Sequence, residues 1–170
     1  MDRTLRVVNT LKKKKLIEDY AIAGGIAAMF YIEPILTYDL DIFVTMIREK
    51  IKRRVIDLSP VYDYLRKRKY KWKGEHIVIE GVPVQFIPVD TLEEEAVRNA
   101  KMITYKGVRA RIVTPEYLVA ILLRAGRKKD IVKVKKLLTQ AKVKIAVVKK
   151  IVRAHGLQNR FARVMKGIHE

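Results

Sequence analysis

Apolar side chains at Leu5, Val8, Leu11, Leu16 and Ile17, separated by cationic and polar residues, predict an amphipathic opening helix that ends near Asp19. The rhythm then changes. Tyr20-Ala21-Ile22-Ala23 is a continuous apolar run of the kind a buried strand shows, and it meets Gly24-Gly25. Residues 26–31 continue as a helix rich in small side chains, stopped by Pro34, which has no N–H to give to a helix. Leu40-Asp41-Ile42-Phe43-Val44 has strand composition.

Ser59-Pro60 predicts the next helix, with Ser59 as N-cap, Pro60 at the first helical position, and Val61, Tyr64 and Leu65 as its apolar stripe up to Tyr70. Residues 76–80 and 82–87 are β-rich runs around Glu80-Gly81 and predict a hairpin, with Pro83 tolerated near a strand start or at a bulge. Thr91, with Glu93, Glu94 and Glu95 behind it, opens a short helix with acids at its positive end. A second hairpin is predicted from residues 101–105 and 108–113 around Lys106-Gly107. From Thr114-Pro115-Glu116 onward the pattern is helical in about four elements: Leu118, Ile121, Leu122 and Ala125 up to Gly126, then Ile131, Val134, Leu137 and Leu138, then residues 143–154, and after the break at Gly156 residues 157–165. The fold class expected is therefore α/β (α+β): a mixed β-sheet core flanked by helices over residues 1–113, then a basic helical region over 114–170.

Composition narrows the classes. A chain of 170 residues with 49% apolar side chains, 8 Gly and 5 Pro is a folded protein, neither disordered nor collagen-like. It has no cysteine, so disulfides and thiolate metal sites are excluded. The longest apolar stretch, residues 20–32, contains Gly24-Gly25 and is too short to span a bilayer, so no membrane segment is expected and a cytoplasmic location is. Net charge is +19, and from Arg124 onward fifteen Lys or Arg stand against Asp130 and Glu170, which places +13 in that tail. Such a tail favours polyanions through counterion release, RNA before DNA before lipid; Lys-rich solvated helix faces of heat-adapted proteins show the same pattern.

The candidate chemistry sits between the first two strands. Asp39 and Asp41 alternate with Leu40 at the head of a strand, so their carboxylates share a face with Cα atoms about 7 Å apart. Two adjacent carboxylates repel and need cationic neighbours or a hard divalent cation, and Mg²⁺ takes few carboxylates plus phosphate oxygens. Gly24-Gly25 supplies the complement, because a backbone without Cβ atoms lets N–H groups approach phosphate closely. A phosphate cradle followed by a metal-binding strand is the layout that nucleotide transfer requires.

Ala23-Gly24-Gly25 followed by Thr37-Tyr38-Asp39-Leu40-Asp41-Ile42-Phe43 resembles the polymerase-β-type nucleotidyltransferases. Arg127, Lys129 and Asp130, within residues 118–138, are similar to the helical Arg-x-Lys/Arg-Asp stretch of the AbiEii-type toxin branch of type IV (abortive-infection) toxin–antitoxin systems. The resemblance implies a nucleotidyltransferase fold that moves a nucleoside monophosphate from a Mg²⁺-bound (or Mn²⁺-bound) NTP to a hydroxyl on nucleic acid, tRNA among the candidates, or on protein. It implies Asp39 and Asp41 as catalytic metal ligands. Gly24, Gly25, Thr37, Arg127, Lys129 and Asp130 are implied around the nucleotide, and an acidic antitoxin-like protein as a partner. The family's third carboxylate is expected on the strand 82–87, where Gln85 stands; Asp90 is the nearest acid that could replace it. Gln is a neutral ligand and no base, so the alternative is a catalytically impaired relative that binds RNA or DNA through its helices.

His76, His155 and His169 have no ligand-spaced partners and are expected to be packed or solvent-exposed. Trp72, Tyr62, Tyr64 and Tyr70, set among Arg66, Lys67, Arg68, Lys69, Lys71 and Lys73, are expected in the core, with base stacking by Trp72 as the competing role.

Overall fold

The computed structural model describes residues 1–47 and 56–169. The opening helix α1 (Asp2–Lys13) buries Leu5, Val8 and Leu11 as its periodicity predicts, but it ends earlier than Asp19. Lys15 takes φ +55°, its N–H reaches Lys12 O at 2.9 Å and the Leu16 N–H reaches Leu11 O at 3.0 Å. That Schellman closure satisfies the last carbonyls, so Leu16 and Ile17 lie beyond the helix although Ile17 is buried. Strand β1 (Asp19–Ile22) follows, then the short helix α2 (Gly24–Met29), which starts on the glycine pair itself. Strand β2 is Leu40–Thr45.

Helix α3 (Ser59–Lys67) begins at the Ser-Pro pair, but its N-cap is Leu58, and the exposed Asp57 carboxylate accepts the Ser59 N–H at 2.8 Å. The short strand β3 (Lys71–Lys73) then pairs with β4 (His76–Ile79), which forms the expected hairpin with β5 (Val82–Pro88) around Glu80 and Gly81, both at positive φ. Pro83 sits at the head of β5, before the β2 pairing begins at Val84, where its missing N–H costs no bond to β2. Helix α4 (Thr91–Arg98) is capped by Asp90, and β6 (Lys101–Tyr105) and β7 (Val108–Ile112) form the second hairpin. Four helices complete the described chain: α5 (Pro115–Ala125), α6 (Lys128–Gln140), α7 (Ile145–Ala154) and α8 (Gln158–His169).

The seven strands form one mixed sheet in the order β3-β4-β5-β2-β1-β7-β6. β2 runs antiparallel to β1 and parallel to β5. Strand alternation sends Leu40, Ile42, Val44, Val84, Phe86, Ile77 and Ile79 to one face, where all are buried. α1 and α3 cover that face; Thr4 of α1 donates to Ile79 O at 3.1 Å, and Tyr62 of α3 meets Phe86 edge-on at 6.2 Å. The opposite face carries Ala21, Asp41 and Phe43 and receives α2 and α4, on which α5 packs. Among the described residues no helix is long and apolar enough to cross a membrane.

Trp72 stacks on Tyr62 at 4.8 Å with the rings tilted by 51°, at the edge of the α3-covered face, and remains 48% exposed. The aromatic group thus extends the core, and it lies across the sheet from Asp41.

Candidate active site

Pairing of β1 with β2 brings the glycine turn to the acidic pair. The Ala23 N–H donates to Asp41 O at 2.9 Å, continuing the ladder one residue past β1. Gly24 then takes φ +58°, and a Cβ placed on it would overlap Asp41 Oδ2 and stand 2.8 Å from Asp41 Cγ. A Cβ at Gly25 would lie 2.7 Å from Thr37 Oγ1 and 2.9 Å from Thr37 Cβ. Two glycines are therefore needed because the 37–41 segment lies directly on them. The clearance that suggests a phosphate cradle in sequence is occupied first by the chain's own Asp41 and Thr37. Thr37 Oγ1 in turn donates to Asp39 Oδ1 at 3.4 Å.

The neighbouring strands complete the wall. Asp41 is in register with Gln85, and partners in a parallel pair point to the same face, so the glutamine amide stands beside the Asp41 carboxylate. Asp90 does not stand there. The register that puts Gln85 beside Asp41 puts Pro88 beside Val44, so Asp90 lies beyond the far end of β2, capping α4 through the Leu92 N–H and paired to Arg124 at 3.0 Å. Its carboxyl is pushed down to about 2, by a hydrogen bond from Glu93 first and then by Arg124, while burial pushes Glu93 up.

One strand further on, the register that pairs Ile77 with Val84 sets His76 beside Gln85, and His76 itself pairs with Lys73. A row of Asp41, Gln85, His76 and Lys73 thus crosses one face of the sheet. His76 Nε2 reaches to 3.4 Å from Asp39 Oδ2, close enough for an ion pair but angled so that no hydrogen bond forms, and that nitrogen is buried without a partner. His76 is thus a partly exposed side chain packed beside Asp39. His155 is likewise packed, with Nε2 3.2 Å from Glu95 Oε2; the side chain of His169 is outside the described part.

Electrostatics single out Asp41. Burial raises its pKa above the ordinary 3.8 and the charge of Asp39 adds to the rise, while His76, Lys133 and Arg127 work in the opposite direction. Two of those cations, Arg127 at the N-cap of α6 and Lys133 within it, bring the charge of α6 to bear on Asp41. Arg127 is exposed and held at the start of α6 by Asp130, which is 0% exposed and accepts from Arg127 Nε at 2.6 Å. Of the three residues at the start of α6 singled out in sequence, Arg127 acts electrostatically on Asp41, Asp130 holds Arg127 from a buried position, and Lys129 is exposed and absent from the cations acting on Asp41. Lys133, one turn beyond Lys129, takes that role. Neither His76 nor Lys133 could be found by spacing, because strand register and helix packing bring them in; only the parity of His76 relative to a hairpin turn hinted at its face.

The donor set suits one divalent cation better than two. The charge of Asp39 acts against that of Asp41 beside the Gly24-Gly25 turn, and a buried imidazole nitrogen without a hydrogen-bond partner stands next to Asp39. Among the described residues, no three His, Cys, Asp or Glu side chains converge on a single point as they stand. The amide of Gln85 fills the remaining place.

A mixed seven-stranded sheet with helices on both faces and this β1–α2–β2 corner is a nucleotidyltransferase fold. The chain is similar over 98% of its length to 88% of an antigenic nucleotidyltransferase-like protein from Paracoccidioides brasiliensis, with a TM-score of 0.60 and 15% identity. It is similar over 99% of both chains to the antibiotic-resistance factor ANT(2'')-Ia in solution, with a TM-score of 0.51 and 14% identity. At such identities the likeness is one of fold. No protein-family model and no curated protein matches the sequence.

Proposed function

We propose that this protein is a nucleotidyltransferase that moves a nucleoside monophosphate from a metal-bound NTP to a hydroxyl, with Asp39 and Asp41 holding the cation. One observation carries the reading: the Asp41 carboxylate lies on Gly24 with the charge of Asp39 close by and the charges of Arg127 and Lys133 acting on it. A Mg²⁺ or Mn²⁺ ion held there would neutralise the phosphate charge that develops as the pyrophosphate leaves. Around it, this chain's residues orient rather than react. Gly24 and Gly25 let the 37–41 segment sit close to the start of α2, Thr37 holds Asp39, and Asp130 aims Arg127 toward the acidic pair and an incoming triphosphate. Gln85 cannot take the acceptor's proton.

The acceptor is proposed to be a nucleic acid, RNA before DNA, held by the cationic helices from α5 to α8, in the cytoplasm where NTPs are plentiful. An acidic protein partner, as in a toxin–antitoxin pair, would use the same surface. The neutral Gln85 supports a second reading, in which the fold binds nucleotide and RNA without transferring.

The test is incubation with each labelled NTP, Mg²⁺ or Mn²⁺, and total RNA. Label on RNA or on the protein, abolished by Asp41→Asn in a variant with unchanged circular dichroism, is the expected result. Metal-dependent NTP binding without any transferred label supports the second reading, and Mg-ATP titrations that are the same in wild type and Asp41→Asn refute both.

A further inference from the structure

The most unusual donor at the site is the one that the sequence offers no reason to choose. His76 enters from β4, two strands away from Asp41, past the neutral Gln85 that occupies the intervening position. Its Nε2 is buried and makes no hydrogen bond, although a buried polar atom without a partner ordinarily costs about 1–3 kcal/mol. Yet the ring is not misplaced, because its nitrogen stands 3.4 Å from Asp39 Oδ2. Two donors that each bind one cation at about 2.0–2.2 Å lie about 3 Å apart when adjacent in its coordination shell. The observed separation and the poor hydrogen-bond angle both match a pair of cis ligands better than a donor–acceptor pair.

On the reading of Asp39 and Asp41 as a cation site, we propose that His76 is its third protein ligand, through Nε2, entering from the strand beyond the neutral Gln85. Asp41 lies on the same face of the sheet as His76; because the three side chains do not converge as they stand, the ion would draw the Asp41 carboxylate off Gly24 toward Asp39 and His76. The consequence is one of metal choice. A set of two carboxylates and one imidazole is borderline rather than hard, so it favours Mn²⁺ and later first-row ions over Mg²⁺, which prefers oxygen alone. Gln85, which carries no charge, leaves the total ligand charge at −2, enough for one divalent ion. This chain is then a manganese-type variant of its fold.

The experiment uses the full chain with Mn²⁺ alone as probe. Electron spin echo envelope modulation of the bound ion is expected to show coupling to an imidazole nitrogen, lost in His76→Gln together with a fall in Mn²⁺ affinity of about 10- to 100-fold, the scale at which supporting groups act on metal sites. Mg²⁺ affinity, measured by competition, is expected to fall less. His76→Glu is the reciprocal variant: it should retain Mn²⁺ without nitrogen coupling and move the preference toward Mg²⁺. If Mn²⁺ binds and is lost in Asp41→Asn but the wild type shows no nitrogen coupling, the histidine is not a ligand and the aspartate site stands. Coupling that persists in His76→Gln assigns the nitrogen elsewhere and overturns the proposal, and a wild type that binds no Mn²⁺ overturns the aspartate site as well.

Discussion

Asp41 carries a cost that its neighbours only partly relieve. Its folded pKa is raised, by burial and by Asp39, so between the unfolded value near 3.8 and the folded one the native state binds more protons than the unfolded chain. Stability contributed by this group therefore falls as pH rises through that window, and at neutral pH the full penalty is present. Asp41→Asn keeps the shape and removes the charge. It is expected to raise the melting temperature at pH 7, by about 2–4 °C for each kcal/mol relieved in a chain of this size, with no gain below the unfolded pKa. Thermal melts at the two pH values check this. A saturating divalent cation should raise the wild-type melting temperature and leave the variant unmoved, because only the native wild type binds it.

At the scale of elements, three helices end in the same way. After α1, α3 and α7 the chain turns through a left-handed residue and the next N–H closes on a carbonyl five residues back: Leu16 on Leu11, Tyr70 on Leu65 and Leu157 on Val152. Only α7 uses glycine there, Gly156, whereas α1 and α3 place Lys15 and Lys69 at φ +55° and +66°. The left-handed region costs an L-residue about 1–2 kcal/mol, and glycine's extra unfolded-state entropy takes back part of the relief. Lys69→Gly is therefore expected to stabilise by about 0.5–1 kcal/mol, readable as a shift in urea midpoint at constant slope. α8 is fixed differently. Arg160 Nη1 donates to Leu123 O and Arg124 O at 2.9 and 2.8 Å, so the last helix is tied to the C-terminal carbonyls of α5, the favourable end for a cation.

Across the whole molecule, charge and site are separate systems. Arg127 and Lys133 bring the charge of α6 to bear on Asp41, while most of the +19 is spread over exposed helix surface. If those helices hold RNA, affinity should be strongly salt-dependent: contact with 6–10 phosphates loses about 10³–10⁵ in affinity between 50 and 200 mM salt. The same affinity should survive replacement of Asp39 and Asp41 together by Ala. Filter binding of a single-stranded RNA across a salt series tests both, and weak salt dependence would remove the helices as the acceptor surface.

Local rules carried much of this protein. Hydrophobic period, Ser-Pro, Glu-Gly and Lys-Gly located all eight described helices and both hairpins, because each such signal acts within a few residues, and the fold brings Gly24-Gly25 together with the 37–41 segment that carries Asp39 and Asp41. Helix ends were less legible: Lys15 accepts a conformation that residue type disfavours, because the closure bonds and the buried Ile17 outweigh the strain. β3 went unseen as a strand, its Lys71-Trp72-Lys73 being exposed and held by pairing with β4 and by the stacking of Trp72 on Tyr62. The rest of the site was decided in three dimensions. Whether Gln85 or Asp90 stands beside Asp41 is a matter of parallel register, and His76 and Lys133 reach the acidic pair across two strands and from a distant helix. No spacing along the chain encodes those meetings, since the energy that fixes them is the burial of the opposite face of the sheet, and the polar face follows wherever that core puts it.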